Sequence, residues 1–348
     1  MSTCAASSLD LDEPLAGTAA TARTWLLIEQ PGPWGAKALT SSHLDPDVGR
    51  ALESAAGNTG VRVALIRRPG RHADSHAPTR RQVYLAHTVP GHAWLRRATV
   101  DAPEELLRLD FAALGTGDHG GFGAPHEGAP LALVCTNGKR DRCCALLGRP
   151  LAAELALSSA EGIWEVTHLG GHRFSPTLLV LPYGYAYGRA TAAAVKEVME
   201  AVRADRIVLE GCRGNSAWDR PGQAAELAVR RTAHEYGAGT LNVVRTDAVL
   251  RRSPATQTDS DVRADAVLRT HGVVPAPGVP PQPASVAAAE VDVPWWEVTV
   301  AHRDGRRWQV TLAQGASLPP RAESCGGALG SPARMDVVAV REVPAGLG

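Results

Sequence analysis

Apolar positions in this chain come in short runs divided by clusters of Pro, Gly and polar residues, and the spacing inside the runs alternates between strand and helix periods. The apolar run 25–29 predicts a strand, the Pro/Gly-rich 30–35 a turn, and 47–56 a helix. Strands are expected at 62–67, 82–87 and 93–100, then a helix over 103–113. The glycine-rich stretch 114–130 reads as a linker. It holds Gly115, Gly117 and Gly120 in G-x-G-x-x-G order, yet a dinucleotide site needs a strand before that run and a helix after it. Here the run follows a helix, so no such site is expected.

Beyond it the order repeats. A strand at 131–134 ends on Cys135; a helix is expected over 143–157, where Leu146, Leu147, Leu151, Leu155 and Leu157 recur at helical spacing. Strands at 163–167, 177–181 and 185–188 and a helix over 190–202 follow. Both stretches read β-α-β-β-β-α, so the chain is α/β and its two lobes are candidate copies of one unit. Further on, 206–209 predicts a strand, 212–216 a loop and 221–236 a helix with proline just inside its start. Residues 273–294, rich in Pro, Ala and Val, read as an extended linker. Two strands flanking Asp304-Gly305, with another at 334–343, make a small β-rich appendage.

The resulting division is a loose tail at 1–22, a first lobe at 23–113, the linker 114–130, a second lobe at 131–250, a linker at 251–294 and an appendage at 295–348. Lysine plus arginine and aspartate plus glutamate are each 36, so no basic excess is left for a nucleic-acid backbone. The arginine pairs are scattered and read as solvated faces. No apolar run is long enough for a membrane span, and residues 1–22 lack the pattern of a secretion signal; the expectation is a cytoplasmic protein.

Cysteine distribution changes the picture most. Three of the six, Cys135, Cys143 and Cys144, fall within ten residues, a clustering that points to metal or redox chemistry in a cytoplasmic chain of this size. Cys135 and Cys144 stand at a strand end and a helix start, and His168 and His172 lie four apart in the loop after the next strand. Cys-x8-Cys with His-x3-His brings two thiolates and two imidazoles to the ends of adjacent elements. Gly170-Gly171 would let the backbone approach a bulky inorganic centre, and nearby basic residues with the helix N-terminus favour thiolate. An eight-residue gap is too wide for a zinc knuckle, whereas two irons bridged by two sulfides fit it.

The run CTNGKRDRCC (135–144) followed by WEVTHLGGHRFSPTLLVLPYGYAYGR (164–189) resembles the sucrase/ferredoxin-like family of thioredoxin-like ferredoxins. The resemblance is strong over about 131–204 and weaker in the first lobe, and it implies two thioredoxin-like lobes with a [2Fe–2S] cluster in the second. It further implies that Cys135 and Cys144 bind one iron and His168 and His172 the other. The chain departs from its relatives in carrying Cys143 where an arginine is common, so two adjacent thiols compete for one ligand position; spacing favours Cys144.

The resulting expectation is a one-electron carrier rather than an enzyme, with a potential above that of plant-type ferredoxins and coupled to protonation of a histidine. No carboxylate pair, nucleophile elbow or P-loop supports a specific reaction. Two other readings stay open: a zinc-stabilised, non-redox binding module, and a thiol oxidoreductase using Cys143 and Cys144. Lys139, Arg140, Arg142 and Arg173 are expected to rim the site and dock an acidic redox partner. Cys4 is expected to have no role, Cys212 to be core and Cys325 a free thiol, while the remaining histidines read as solvated.

Overall fold

The computed structural model describes residues 3–70, 80–158, 161–253 and 291–344. The first half contains β1 (Thr24–Glu29), β2 (Val61–Arg67), β3 (Arg81–His87), β4 (Trp94–Val100) and the short β5 (Ala124–Pro125). The second half contains β6 (Leu131–Cys135), β7 (Ile163–Val166), β8 (Leu178–Leu181), β9 (Tyr185–Tyr187) and β10 (Cys212–Asn215). In each half the first strand pairs parallel with the second and antiparallel with the third, and the antiparallel wiring then continues outward. The halves meet where β2 runs antiparallel to β7, with Ile66 opposite Val166 and Arg67 opposite Glu165. One mixed sheet results, ordered β10-β9-β8-β6-β7-β2-β1-β3-β4-β5, and its order reads the same from the central seam outward in both directions. The internal repetition suggested by the element pattern is therefore visible as topology.

Parallel neighbours need a crossover, and helices supply it. Helices α1 (Cys4–Asp10), α2 (Ala38–Ser41) and α3 (Pro46–Ala56) come first, and α2 and α3 link β1 to β2. Asp45 caps α3, accepting from the N–H groups of Asp47 and Val48, and Pro46 follows at the first helical position. Helices α4 (Phe111–Thr116) and α5 (Arg149–Ser158) come next, α5 joining β6 to β7. Then follow α6 (Ala192–Arg203) and α7 (Arg220–Ala233). Strand alternation sorts the core: Leu26 and Ile28 face the α3 side, whereas Trp25 and Leu27 face the opposite one. That opposite face is shared by both halves and carries Leu131, Leu133, Trp164 and Val166 as well.

Several expectations change. The stretch 114–130 belongs to the first half rather than linking lobes. Gly115 lies inside α4, where a Cβ would sit 1.8 Å from the Thr59 carbonyl oxygen, and Ala124–Pro125 pair with β4. Its glycines serve close packing and tight turns. The helix expected over 103–113 is a 3-10 segment, Pro103–Arg108, followed by α4 with Asp110 as its cap. Likewise, of the tail expected at 1–22 the described residues 3–22 are docked: Cys4, Ala5 and Ser8 are buried, Glu13 pairs with Arg173 and Arg321, and the Gly17 N–H donates to the Arg213 carbonyl. Small residues that look linker-like in composition allow this close docking. Residues 206–209 form only an isolated bridge, Arg206 to Gly237, and the expected loop at 212–216 contains β10.

The terminal region is larger than a hairpin. Strands β11 (Leu241–Ser253), β12 (Val291–His302), β13 (Arg307–Ala316) and, after the short pair β14 (Arg321–Ala322) and β15 (Leu329–Gly330), β16 (Ala333–Val343) build it. β11, β12, β13 and β16 form an antiparallel sheet against α7, with Gly305 at φ +100 in the β12–β13 turn. Residues 254–290, most of the expected linker, lie outside the described residues.

Candidate metal centre

Alternation along β6 puts Cys135 on the same face as Leu131 and Leu133, at the strand's carboxyl end. The chain then turns through Thr136, whose hydroxyl donates to Glu165, and Asn137, whose side-chain amide donates to the Gly35 carbonyl. Asp141 accepts the Cys143 N–H at 2.8 Å. The expected helix over 143–157 starts with one wider turn, a π-type segment at Cys144–Gly148, before α5. A Cβ on Gly148 would stand 2.1 Å from the Cys135 carbonyl oxygen, so glycine lets this turn close down on the strand end. Leu151 and Leu155 are buried as the periodicity demands, but Leu146, Leu147 and Leu157 face outward.

The histidine loop is held by buried arginines. Arg62 donates to the His168 carbonyl at 2.9 Å, and Arg213 to the Gly170 carbonyl at 3.1 Å and to both oxygens of Thr18. Burial pushes the Arg213 guanidinium down to about 9, and it lowers Arg62 as well, with Cys135 opposing the shift at each. Gly170 and Gly171 take φ +84 and +69, and a Cβ on Gly171 would lie 2.0 Å from Arg213 Nη2. Both conformation and space require glycine at 171.

Three of the four expected ligands converge as one set: one ligand atom each from Cys135, Cys144 and His168 lies within 4.8 Å of the others. The His172 ring stands beside that set, its centroid 5.1 Å from that of His168, with Nε2 turned to Asp141 Oδ2 at 3.5 Å. Nδ1 of both histidines is buried and has no hydrogen-bond partner. Buried polar atoms are ordinarily satisfied, and a ring nitrogen left bare beside two thiols suits a metal bond. The Cys144 thiol donating to Cys135, joined by the His168 imidazole and the Leu169 N–H, holds Cys135 well below the usual thiol range. Cys144 is raised correspondingly, by that hydrogen bond and by burial. Burial lowers the His172 imidazole against the pull of Asp141, which favours the neutral, ligating form.

Cys143 takes no place in this set. Its thiol joins Cys4 and Cys325, two residues for which the sequence carried no spacing signal, together with Asp141. The competition between Cys143 and Cys144 is thus resolved geometrically into two different groups. Arg173 is also displaced from its expected surface role: it is buried and paired with Glu13 and Glu323 at 2.8 Å each. Lys139, Arg140 and Arg142 are exposed. Cys212 is core, and burial raises its thiol to about 12. His126 is not simply solvated: one ring nitrogen meets the Ala129 carbonyl, and its ring packs on the edge of Tyr84.

The family model described as Sucrase/ferredoxin-like matches residues 15–214, the span that contains both halves of the large sheet and all four expected ligands. No curated protein and no solved structure matches the chain. Among the described residues, no helix is long and apolar enough to cross a membrane.

Proposed function

The chain belongs to the sucrase/ferredoxin-like family, and on that premise we propose that it is a one-electron carrier holding a [2Fe–2S] cluster on Cys135, Cys144, His168 and His172. The observation that supports this most is the buried convergence of two thiols with His168, flanked by two histidine nitrogens lacking partners. Cys135 and Cys144 would hold one iron, His168 and His172 the other. Such a cluster supplies a single reversible electron site.

The chain's own residues shape that site. Arg62 and Arg213 fix the histidine loop through its carbonyls, and both cations act on Cys135, offsetting thiolate charge and favouring electron uptake. Leu169, Trp164 and Val166 exclude water. Asp141 orients His172 and offers a place for a proton at Nε2, so the potential falls as pH rises, by at most about 59 mV per unit for a one-electron step. Exposed Lys139, Arg140 and Arg142, with half-exposed Leu146 and Leu147 next to them in the chain, form a face suited to an acidic redox partner. Charge reversal at Arg140 and Arg142 slows electron exchange with that partner and weakens its salt dependence.

A visible spectrum of protein purified without oxygen, recorded before and after dithionite with iron and sulfide assayed, tests the reading. About two irons and two sulfides per chain, with colour bleached on reduction, support it. Colourless protein that stays iron-free after reconstitution overturns it.

A further inference from the structure

Three cysteines widely separated along the chain meet beside the histidine loop. Cys4 begins α1, Cys143 follows the Asp141 turn, and Cys325 lies between β14 and β15. Their sulfurs form a triangle with sides of 3.1 Å (Cys143–Cys325), 3.4 Å (Cys4–Cys143) and 3.6 Å (Cys4–Cys325). The Asp141 carboxylate completes a four-cornered group: Oδ1 lies 4.0 Å from the Cys4 sulfur, and all four ligand atoms fall within 4.8 Å of one another.

We infer that Cys4, Cys143 and Cys325, with Asp141 as the fourth ligand, form a second metal site that takes Zn²⁺. Tetrahedral zinc with Zn–S bonds of about 2.3 Å spaces its sulfurs by about 3.8 Å, so the triangle needs to open by about 0.2 Å on its longest side and about 0.7 Å on its shortest. A disulfide, by contrast, closes one pair to about 2.05 Å and leaves the third thiol over. Three sulfurs and one oxygen are soft enough to select zinc over magnesium or calcium, and each thiol gives its proton to solvent as the metal enters.

Charge supports the same conclusion. Asp141 is buried, its side chain 1 % exposed, and among the described residues no lysine or arginine pairs with it. It accepts the N–H groups of Cys143 and Cys325 at 2.8 and 2.9 Å, which aims the carboxylate into the thiol group. Apart from the His172 imidazole at 3.5 Å, whose ionisation burial opposes, a divalent cation supplies the counter-charge that no lysine or arginine provides.

The surroundings hold the four ligands in place without metal. Glu13, shortly after α1, pairs with Arg321 of β14 and with Arg173, which follows His172. Arg173 also reaches Glu323, two residues before Cys325. Two of the segments that supply the thiols are thus clamped to the histidine loop by ion pairs, and the Ser175 hydroxyl of that loop donates to the Cys143 carbonyl. Zinc would tie the amino-terminal helix and the β14–β15 segment to the Asp141–Cys143 turn, a role independent of whether an iron cluster occupies the neighbouring group.

The test is metal analysis of the full chain, purified without oxygen from zinc-supplemented culture, with zinc and iron counted on the same sample. About one zinc per chain is expected in the native protein. The double variant Cys4→Ser, Cys325→Ser is expected to lose it while keeping the iron and visible spectrum of the parent. Cys135→Ser is expected to keep the zinc, and Cys212→Ser to change neither. Titration of zinc-stripped native protein with Co²⁺, which yields a thiolate-to-cobalt absorption band, reports the site without any substitution. Native protein that neither retains zinc nor shows that band, zinc content unchanged in the Cys4/Cys325 double variant, or a Cys143–Cys325 disulfide in the anaerobic protein would each overturn the inference. Loss of zinc in Cys135→Ser with retention in the double variant would do the same, by moving the metal to the other group.

Discussion

Asp141 Oδ2 stands 3.5 Å from His172 Nε2, while the same carboxylate accepts the backbone N–H groups of Cys143 and Cys325. One side chain therefore joins the Cys4–Cys143–Cys325 thiols to His172, the neighbour of the Cys135–Cys144–His168 set. Asp141→Asn removes its charge and replaces one acceptor oxygen with a donor. Potentiometric titration is expected to show a rise on the order of tens of millivolts, from loss of a nearby negative charge. Zinc competition is expected to show affinity reduced about 10–100-fold.

Replacing His168 or His172 with cysteine puts a thiolate where a neutral imidazole stood. Each added negative charge makes electron uptake harder, so the potential of a cluster-loaded variant should move toward the plant-type value of about −400 mV. The pH dependence of the potential should vanish in His172→Cys and persist in His168→Cys, because only His172 turns Nε2 to Asp141.

Gly171→Ala places a Cβ 2.0 Å from Arg213 Nη2 at a residue with φ +69. The backbone cost of that conformation is about 1–3 kcal/mol, and displacing a buried guanidinium adds to it. Thermal unfolding should report a lowered midpoint, and iron content after reconstitution should fall because the histidine loop shifts. Gly170→Ala has the same backbone problem but open space around it, its nearest neighbour being Ala20 Cβ at 4.0 Å, so its loss should be smaller.

The seam between the halves rests on Arg67 and Glu165, paired at 2.7 Å with both side chains nearly inaccessible. Arg67 also donates to the Gly32 carbonyl and lies over the Trp34 ring at 4.0 Å. Burial lowers its guanidinium, and Glu165 counters that. Arg67→Ala removes the guanidinium that pairs with a buried carboxylate and should cost about 3–5 kcal/mol in denaturant unfolding. Arg67→Ala combined with Glu165→Gln should cost less than the sum of the singles.

Burial opposes ionisation of Glu13, but Arg321 and Arg173 outweigh it and hold the carboxyl below the usual range. A depressed folded value means that the stability Glu13 adds is fully present above its unfolded value, about 4.3, and is lost as pH falls through the folded one. Hydrogen exchange of the amino-terminal segment should therefore quicken below about pH 4. Glu13→Gln should flatten this acid dependence and weaken the segment's protection at neutral pH.

The first four strands of each half were legible in sequence, several of them because buried strands are continuous apolar runs, as in Leu131–Cys135, whereas the edge strands β5 and β10 were not. Helices α3, α6 and α7 were legible from their residue pattern, with proline just inside the start of α7, and the structure adds the caps Asp45 and Asp219. Errors fell where glycine and small residues serve packing rather than flexibility, at 1–22 and 114–130. Composition does not distinguish a glycine that is mobile from one, such as Gly115, against which another backbone rests.

Local spacing by itself pointed to the convergence of Cys135, Cys144 and His168, with His172 beside them, because these residues sit at the ends of consecutive elements whose order the chain dictates. The second group was decided by tertiary structure alone. Cys4, Cys143 and Cys325 have no common period, and they meet where tertiary contacts, among them the Glu13, Arg173, Arg321 and Glu323 ion pairs, bring segments distant in sequence together beside the histidine loop. Short-range order is written in residue spacing; contacts between distant segments depend on which buried charges find partners after the chain has folded.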